Sequence, residues 1–306
     1  MTETKTRALA FQPFSEADRA LYETYLRASP ARGCEYSFAN RVMWGEQSVA
    51  YYEGLMIVLS RFGERYVYSY PIGEGDKRAA LEAVLADART RGISYRFSGL
   101  LPEEAEELER LYPNRFAFTQ NEGSFDYVYE IDALADLAGK KYHAKRNHCA
   151  RFEREHPELR LEQIDRTNVD RAREMSRAWY EERRREDPEG GYEMEMRAIA
   201  CAYDRFETLG LEGLLLLDGD EVMGLTMGSR MTEDTFDVNF EKAWADVGGA
   251  YAYINRAFAR HLREKYPALR YLNREEDMGI EGLRRAKESY YPHHRVVKYR
   301  ATPVEV

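Results

Sequence analysis

Cysteine is scarce in this chain of 306 residues: Cys34, Cys149 and Cys201 are the only three, and they lie far apart in sequence. That number and spacing exclude a disulfide framework and a CxxC redox or metal site. Long apolar runs are missing too. The most apolar stretch, "GLLLLDG", falls far short of the ~20 residues that a bilayer span requires. The opening "MTETKTRALAFQPF" has no signal-peptide hydrophobic segment. There is no P-loop, Rossmann fingerprint or GxSxG, which removes nucleotide hydrolysis and serine hydrolysis from consideration. Short repeats and low-complexity linkers are likewise absent. These absences lead to the expectation of a cytoplasmic protein without a transmembrane segment, compatible with a peripheral place at a membrane.

What is present is globular. Hydrophobic residues make up 44% and charged residues 32%, the balance of a soluble folded chain. The length exceeds what one core comfortably organises and predicts two domains of roughly 150 residues. A formal charge of −9 argues against a protein coated in nucleic acid but leaves room for one local basic patch. The 23 tyrosines suit wet clefts and sheet surfaces alike, since each joins an apolar ring to a hydrogen-bonding tip.

Hydrophobic periodicity predicts an α+β fold. In the first half a helix, "SEADRALYETYLRAS" with Ser15 as N-cap, precedes the β-like runs "QSVAYYEG", "LMIVLSRFG" and "RYVYSYPIG". A helix ending at Gly92, a strand "SYRFSG", a helix "PEEAEELERLYP" and a strand "SFDYVYEID" follow. The second half opens with a basic helix from about Gly139 to His156. A strand "LRLEQI", two helices and a meander, "LEGLLLLDGDEVMGLTMGSRMTEDTFDVNFEKA", come next. It closes as helix, strand "LRYLN", helix and strand "RVVKYR". The similar order predicts two related domains, residues 1–133 and 134–306, each a mixed, mostly antiparallel sheet flanked by helices; the segments that carry candidate chemistry put the active site in the second.

Four segments carry candidate chemistry. In "KKYHAKRNHCARFER", six Lys/Arg stand against one Glu. Lys141, Lys145 and His148 share one helical stripe, and Lys140, Asn147, Arg151 and Arg154 the adjoining one. A solvated helix face ordinarily mixes signs, so this one is read as facing phosphates. In "TFDVNFE", Phe236, Val238 and Phe240 alternate with Asp237, Asn239 and Glu241. The polar set is either a solvated sheet face or the floor of a cleft where a carboxylate accepts a proton. In "DVGGAYAYINRAFARHL", Asp246 is a candidate N-cap. Gly248 and Gly249 permit close backbone approach to an anion at a helix start, or serve only as a turn. Tyr251, Ile254, Phe258 and Leu262 form a core face. In "LNREEDMGIEGLRRAKESYYP", Glu275, Glu276 and Asp277 crowd together with Arg274, Arg284, Arg285 and Lys287 in reach; they form a site rim or a solvated turn. His143 and His148 are off-register for a shared metal, and His293–His294 has no Cys or Asp at ligand spacing, so no metal site is expected.

These four segments, together with "CEYSFANRVMWGE", resemble the DUF2156 family, related to the C-terminal catalytic domain of phosphatidylglycerol lysyltransferases. The resemblance covers nearly the whole chain. It implies tandem domains of the GNAT (N-acetyltransferase-like) fold, also used by Fem-type aminoacyltransferases, and transfer of an aminoacyl group from charged tRNA to a lipid hydroxyl. By motif position Asp237 matches the family's acidic strand residue, while Arg146 and Asn147 fall in its basic helix. Two departures stand out. The multi-helix membrane region is absent, and "ADVGGA" replaces the usual acetyl-CoA loop. Asp246 there disfavours pyrophosphate and ranks coenzyme A below aminoacyl-tRNA as donor.

The expectation is therefore an acyl- or aminoacyltransferase with no certain cofactor. Asp237 or Glu241 would act as base, Tyr290 would protonate the leaving oxygen, and Lys141, Lys145, Arg146 and Arg151 would hold the donor's phosphates. Asn147, Gly248, Gly249, Asn239, Glu276, Asp277 and Lys287 complete the binding set. Its partner would be a tRNA acceptor end or an anionic lipid headgroup. The alternatives are an acyl-CoA-dependent N-acyltransferase acting on a small amine and a non-catalytic scaffold binding anionic lipid or RNA.

Overall fold

The computed structural model describes residues 8–29, 33–244 and 247–304. Contacts divide the chain into two compact units, Met1–Phe125 with Val296–Val306, and Asp126–Arg295.

The first unit contains β1 (Gln12–Pro13), α1 (Arg19–Arg27), α2 (Phe38–Met43), β2 (Glu46–Tyr52), β3 (Leu55–Phe62), β4 (Arg65–Tyr68) and β5 (Ile72–Gly73). It continues through α3 (Lys77–Arg91), β6 (Tyr95–Leu100), α4 (Pro102–Leu111) and β7 (Phe116–Gln120). Its sheet runs β1-β2-β3-β4-β6, then a strand from the end of the chain, then β7. Helix α3 starts where the Asp76 side chain accepts from the Ala79 N–H at 3.0 Å, and it stops at Gly92, as expected from sequence, in a left-handed closure with φ +63.

The second unit is built from β8 (Asp126–Glu130), α5 (Ile131–Asp136), α6 (His143–Glu155), β9 (Leu159–Gln163), α7 (Val169–Glu186) and α8 (Glu193–Asp204). Then follow β10 (Leu211–Asp218), β11 (Glu221–Arg230), β12 (Thr235–Ala243), α9 (Ala250–Lys265), β13 (Tyr271–Asn273), α10 (Glu281–Glu288) and β14 (His294–Val296). The strand order is β14-β8-β13-β12-β11-β10-β9; β8 with β13, β12 with β11, β11 with β10 and β10 with β9 pair antiparallel, and β12 with β13 pairs parallel. Helix α9 lays Ile254, Phe258 and Leu262 into the core, and Phe258 meets Phe236 of β12 edge-on at 5.7 Å. Such a pair contributes about 0.5–1.5 kcal/mol beyond its buried area. Tyr251, read as part of that core face, is 37% exposed. One turn away, Asn255 is buried instead.

The boundary falls earlier than the sequence reading placed it, because the strand that seemed to close the first half, β8, pairs with β13 of the second sheet. The final strand "RVVKYR" also divides. Its first part is β14, and Tyr299–Pro303 forms β15, which pairs with β6 and β7 in the first unit. Strand β7 and helix α5 were not anticipated. Each is five or six residues long, too short for periodicity to reveal.

Candidate active site

The site begins where two strands part. Strands β12 and β13 pair in parallel over three positions, ending at Asp237 opposite Asn273. Beyond that point β12 continues alongside β11, while the chain leaving β13 follows β8. Arg274 N donates to Tyr127 O at 2.9 Å, and Tyr127 N to Glu275 O at 3.1 Å. Opposite Asp237 the β11–β12 register slips, so Val238 and Asn239 together face Gly228. A Cβ at Gly228 would lie 2.0 Å from the Asp237 carbonyl oxygen, so only glycine fits this bulge.

The polar side chains of β12 do not form a solvated face. Asp237 is 0% exposed and Asn239 8%. Asn239 Nδ2 donates to Asp237 Oδ2 at 3.0 Å and to Glu275 Oε1 at 3.3 Å, while its Oδ1 accepts from Ser229 Oγ at 3.4 Å. Glu241 accepts from Arg274 Nη2 at 2.8 Å and from Asn255 Nδ2 at 3.2 Å. The Arg274 guanidinium lies 5.6 Å from the ring of Tyr129 and 5.0 Å from that of Tyr290. Above the Tyr290 ring, at 4.0 Å, sits the ammonium of Lys145 from α6. Burial, then repulsion from Arg274, pulls the Lys145 ammonium below its usual proton affinity. Burial pushes the Tyr290 phenol well above its ordinary value, which keeps the phenol protonated. The basic helix and the acidic strand therefore meet through Tyr290 and Arg274.

Other expected site residues hold the scaffold. Asp277 is 0% exposed; it accepts from Tyr127 OH at 2.7 Å, Gly279 N at 2.7 Å and Arg284 Nε at 2.9 Å. Burial acts to raise its pKa, but the hydrogen bonds from Arg284 and Tyr127 hold the carboxyl down at about 2. Lys287, 7% exposed, donates its ammonium to the carbonyls of Arg274 and Glu276. Glu276, half-buried, enters this network through its backbone. Asp277 and Lys287 thus turn inward to fix the loop, rather than outward to a ligand.

On α6 the cations separate by task. Arg146 donates to the carbonyls of Leu137 and Gly139, closing the turn after α5, where Leu137 takes φ +50. Asn147 is exposed and bonds His143 at 3.1 Å. Arg151 lies 3.7 Å from Glu155, and a Cβ on Gly248 would meet its Nη2 at 2.7 Å. Lys141 is exposed, over the rings of Tyr142 and Tyr291 at 5.1 and 5.2 Å. Gly249, with φ +107, brings the start of α9 onto α6: a Cβ there would stand 2.8 Å from His148 O. The close approach that Gly249 permits is thus to a neighbouring helix. Asp246 lies outside the described residues.

The sequence profile of the phosphatidylglycerol lysyltransferase C-terminal family matches residues 26–302. The chain belongs to this family. Among solved structures, a conserved protein of unknown function from Bacteroides thetaiotaomicron is 34% identical, with a TM-score of 0.90 over 97% of this chain and 100% of that one. The DUF2156 C-terminal domain of a putative lysylphosphatidylglycerol synthetase from Agrobacterium fabrum is 16% identical, with a TM-score of 0.65 over 94% and 92%. A tandem GNAT protein from the clavulanic acid biosynthesis pathway is 9% identical, with a TM-score of 0.55 over 97% and 99%. The last two share the fold, which is the expected tandem GNAT arrangement. No curated protein sequence matches the chain. Among the described residues no helix is long and apolar enough to cross a membrane.

Within this lysyltransferase family member, sequence reasoning missed Asn255 and Tyr129 and ranked Arg274 only as a neutralising neighbour. Asn255 carried a usable signal, a lone amide one position from Ile254 on a core helix. Tyr129 carried none, since its strand alternates like any other.

Proposed function

We propose that the second unit transfers an aminoacyl group from charged tRNA to a hydroxyl or amine acceptor, with a lipid headgroup as the acceptor class that the family's description favours. The observation that supports this best is the continuous line Lys145–Tyr290–Arg274–Glu241, which joins a cationic helix to a carboxylate-rich strand. Such a juxtaposition suits a donor carrying phosphates and an acceptor that must lose a proton. Lys141 and Lys145 engage the tRNA end, with Arg151 beside Gly248 extending that face. Arg146 and Lys287 hold backbone. Tyr290 serves as the ring that seats Lys145, and Glu241 fixes Arg274. The acceptor is received at the acidic wall, where Asn239 bridges the enclosed Asp237 to the half-buried Glu275.

Purified protein incubated with radiolabelled lysyl-tRNA and phosphatidylglycerol vesicles tests the reading. Label should move into the lipid fraction, and Asp237→Asn should slow that transfer while leaving the melting temperature unchanged. Micromolar binding of coenzyme A with no transfer from tRNA would replace this reading with an acyl-CoA-dependent one.

A further inference from the structure

The acidic wall contains two carboxylates joined by one amide, and they differ in access. Asp237 is wholly enclosed, whereas Glu275 is half-buried at the point where β12 and β13 part. Glu275 also holds a backbone conformation, φ +56, that a residue with a side chain adopts at a cost. Its surroundings enforce that conformation from several sides. Glu275 N donates to Asn273 Oδ1 at 2.8 Å, and Asn273 is anchored in turn by Asp126 at 2.9 Å. Glu275 O accepts from Tyr127 N. On either side, Lys287 grips the carbonyls of Arg274 and Glu276. A strained residue held by so many contacts marks a position where the side chain's direction matters more than backbone ease.

We propose that Glu275 is the catalytic carboxylate that takes the proton from the acceptor, with Asn239 aiming it and Asp237 standing behind. This rests on the transferase reading above. The acceptor's N–H or O–H faces Glu275 Oε, and its nitrogen or oxygen attacks the ester carbonyl carbon of the aminoacyl-tRNA. The new C–N or C–O bond forms as the proton passes to Glu275. The C–O bond to the tRNA ribose then breaks, and the proton is returned to the departing ribose oxygen. No oxidant or reductant enters. Asn239 Nδ2, donating to both carboxylates, ties the direction of Glu275 Oε1 to the enclosed Asp237.

Three variants test the assignment with lysyl-tRNA and phosphatidylglycerol vesicles. Glu275→Gln should lower kcat at least ~100-fold, the lower range for loss of a positioned base. Glu275→Asp should retain an intermediate rate. Glu275→Gly relieves the left-handed strain, so it should hold or raise the melting temperature while losing transfer, and added formate should restore part of the rate. Transfer at the wild-type rate by the Gln or Gly variant overturns the proposal. So does a Gly variant that melts lower and gains nothing from formate, since that marks a structural role. A wild-type chain inert with lysyl-tRNA overturns the transferase reading itself, and this assignment with it.

Discussion

The ammonium of Lys145 and the ring of Tyr290 are 4.0 Å apart, and the same ring lies 5.0 Å from the guanidinium of Arg274. One aromatic side chain thus seats two cations from different elements. On the proposed reading the ring, rather than the hydroxyl, is what Tyr290 contributes. Tyr290→Phe should keep transfer within a few-fold of wild type, because a cation–π contact survives loss of the phenol. Tyr290→Ala should lose it. Steady-state kinetics on both variants decide the matter, and a large loss in the Phe variant would reinstate the phenol as a proton donor.

The Arg274–Glu241 pair is 2.8 Å long with side chains only 13% and 11% exposed. Removing one partner leaves a buried charge uncompensated, which costs about 3–5 kcal/mol. Glu241→Ala should therefore shift the urea midpoint down by that equivalent. A change below ~1 kcal/mol, the value of a surface pair, would mean that water reaches Arg274 freely.

Asp277 has a definite acid signature. Its folded-state pKa, about 2, lies below the ~3.9 of an unfolded aspartate. The unfolded state therefore binds the proton first, and stability drawn from Asp277 is complete above ~pH 4 and lost as pH falls toward 2. Asp277→Asn should flatten this part of the acid-unfolding curve. Urea titrations at pH 2.5, 4 and 6 read the difference, and parallel curves for the two proteins would contradict it.

Lys141 and Lys145 should act on tRNA through phosphate. For a single-stranded acceptor end, each lost phosphate contact lowers the slope of log affinity against log salt by about 0.7. Lys141→Glu with Lys145→Glu should thus reduce the slope by at least ~1.4. Filter binding between 50 and 300 mM salt measures it, and an unchanged slope would release the helix from this role.

Much of this was legible beforehand. Periodicity located α6, α7, α9 and the meander, since each is long enough to show a period, and Gly92 announced its own stop. The fate of individual site residues was not legible. Asp277 and Lys287 look like ligands in sequence, but tertiary contacts that span more than one element turn them inward. Whether the polar side of β12 is wet or enclosed depends on Asn255 of α9 and on Arg274 and Glu275 beyond β13, and strict alternation reads the same either way. The strain at Glu275 is invisible in the string "NREED", where nothing marks one glutamate as left-handed.

The most direct test is single-turnover transfer from lysyl-tRNA by wild type and by Lys145→Glu at matched melting temperature. If the basic helix and the acidic strand serve one site, the variant should lose at least about tenfold, as expected for one charge-assisted contact worth ~1.5–3 kcal/mol. Equal rates in the two proteins would contradict it.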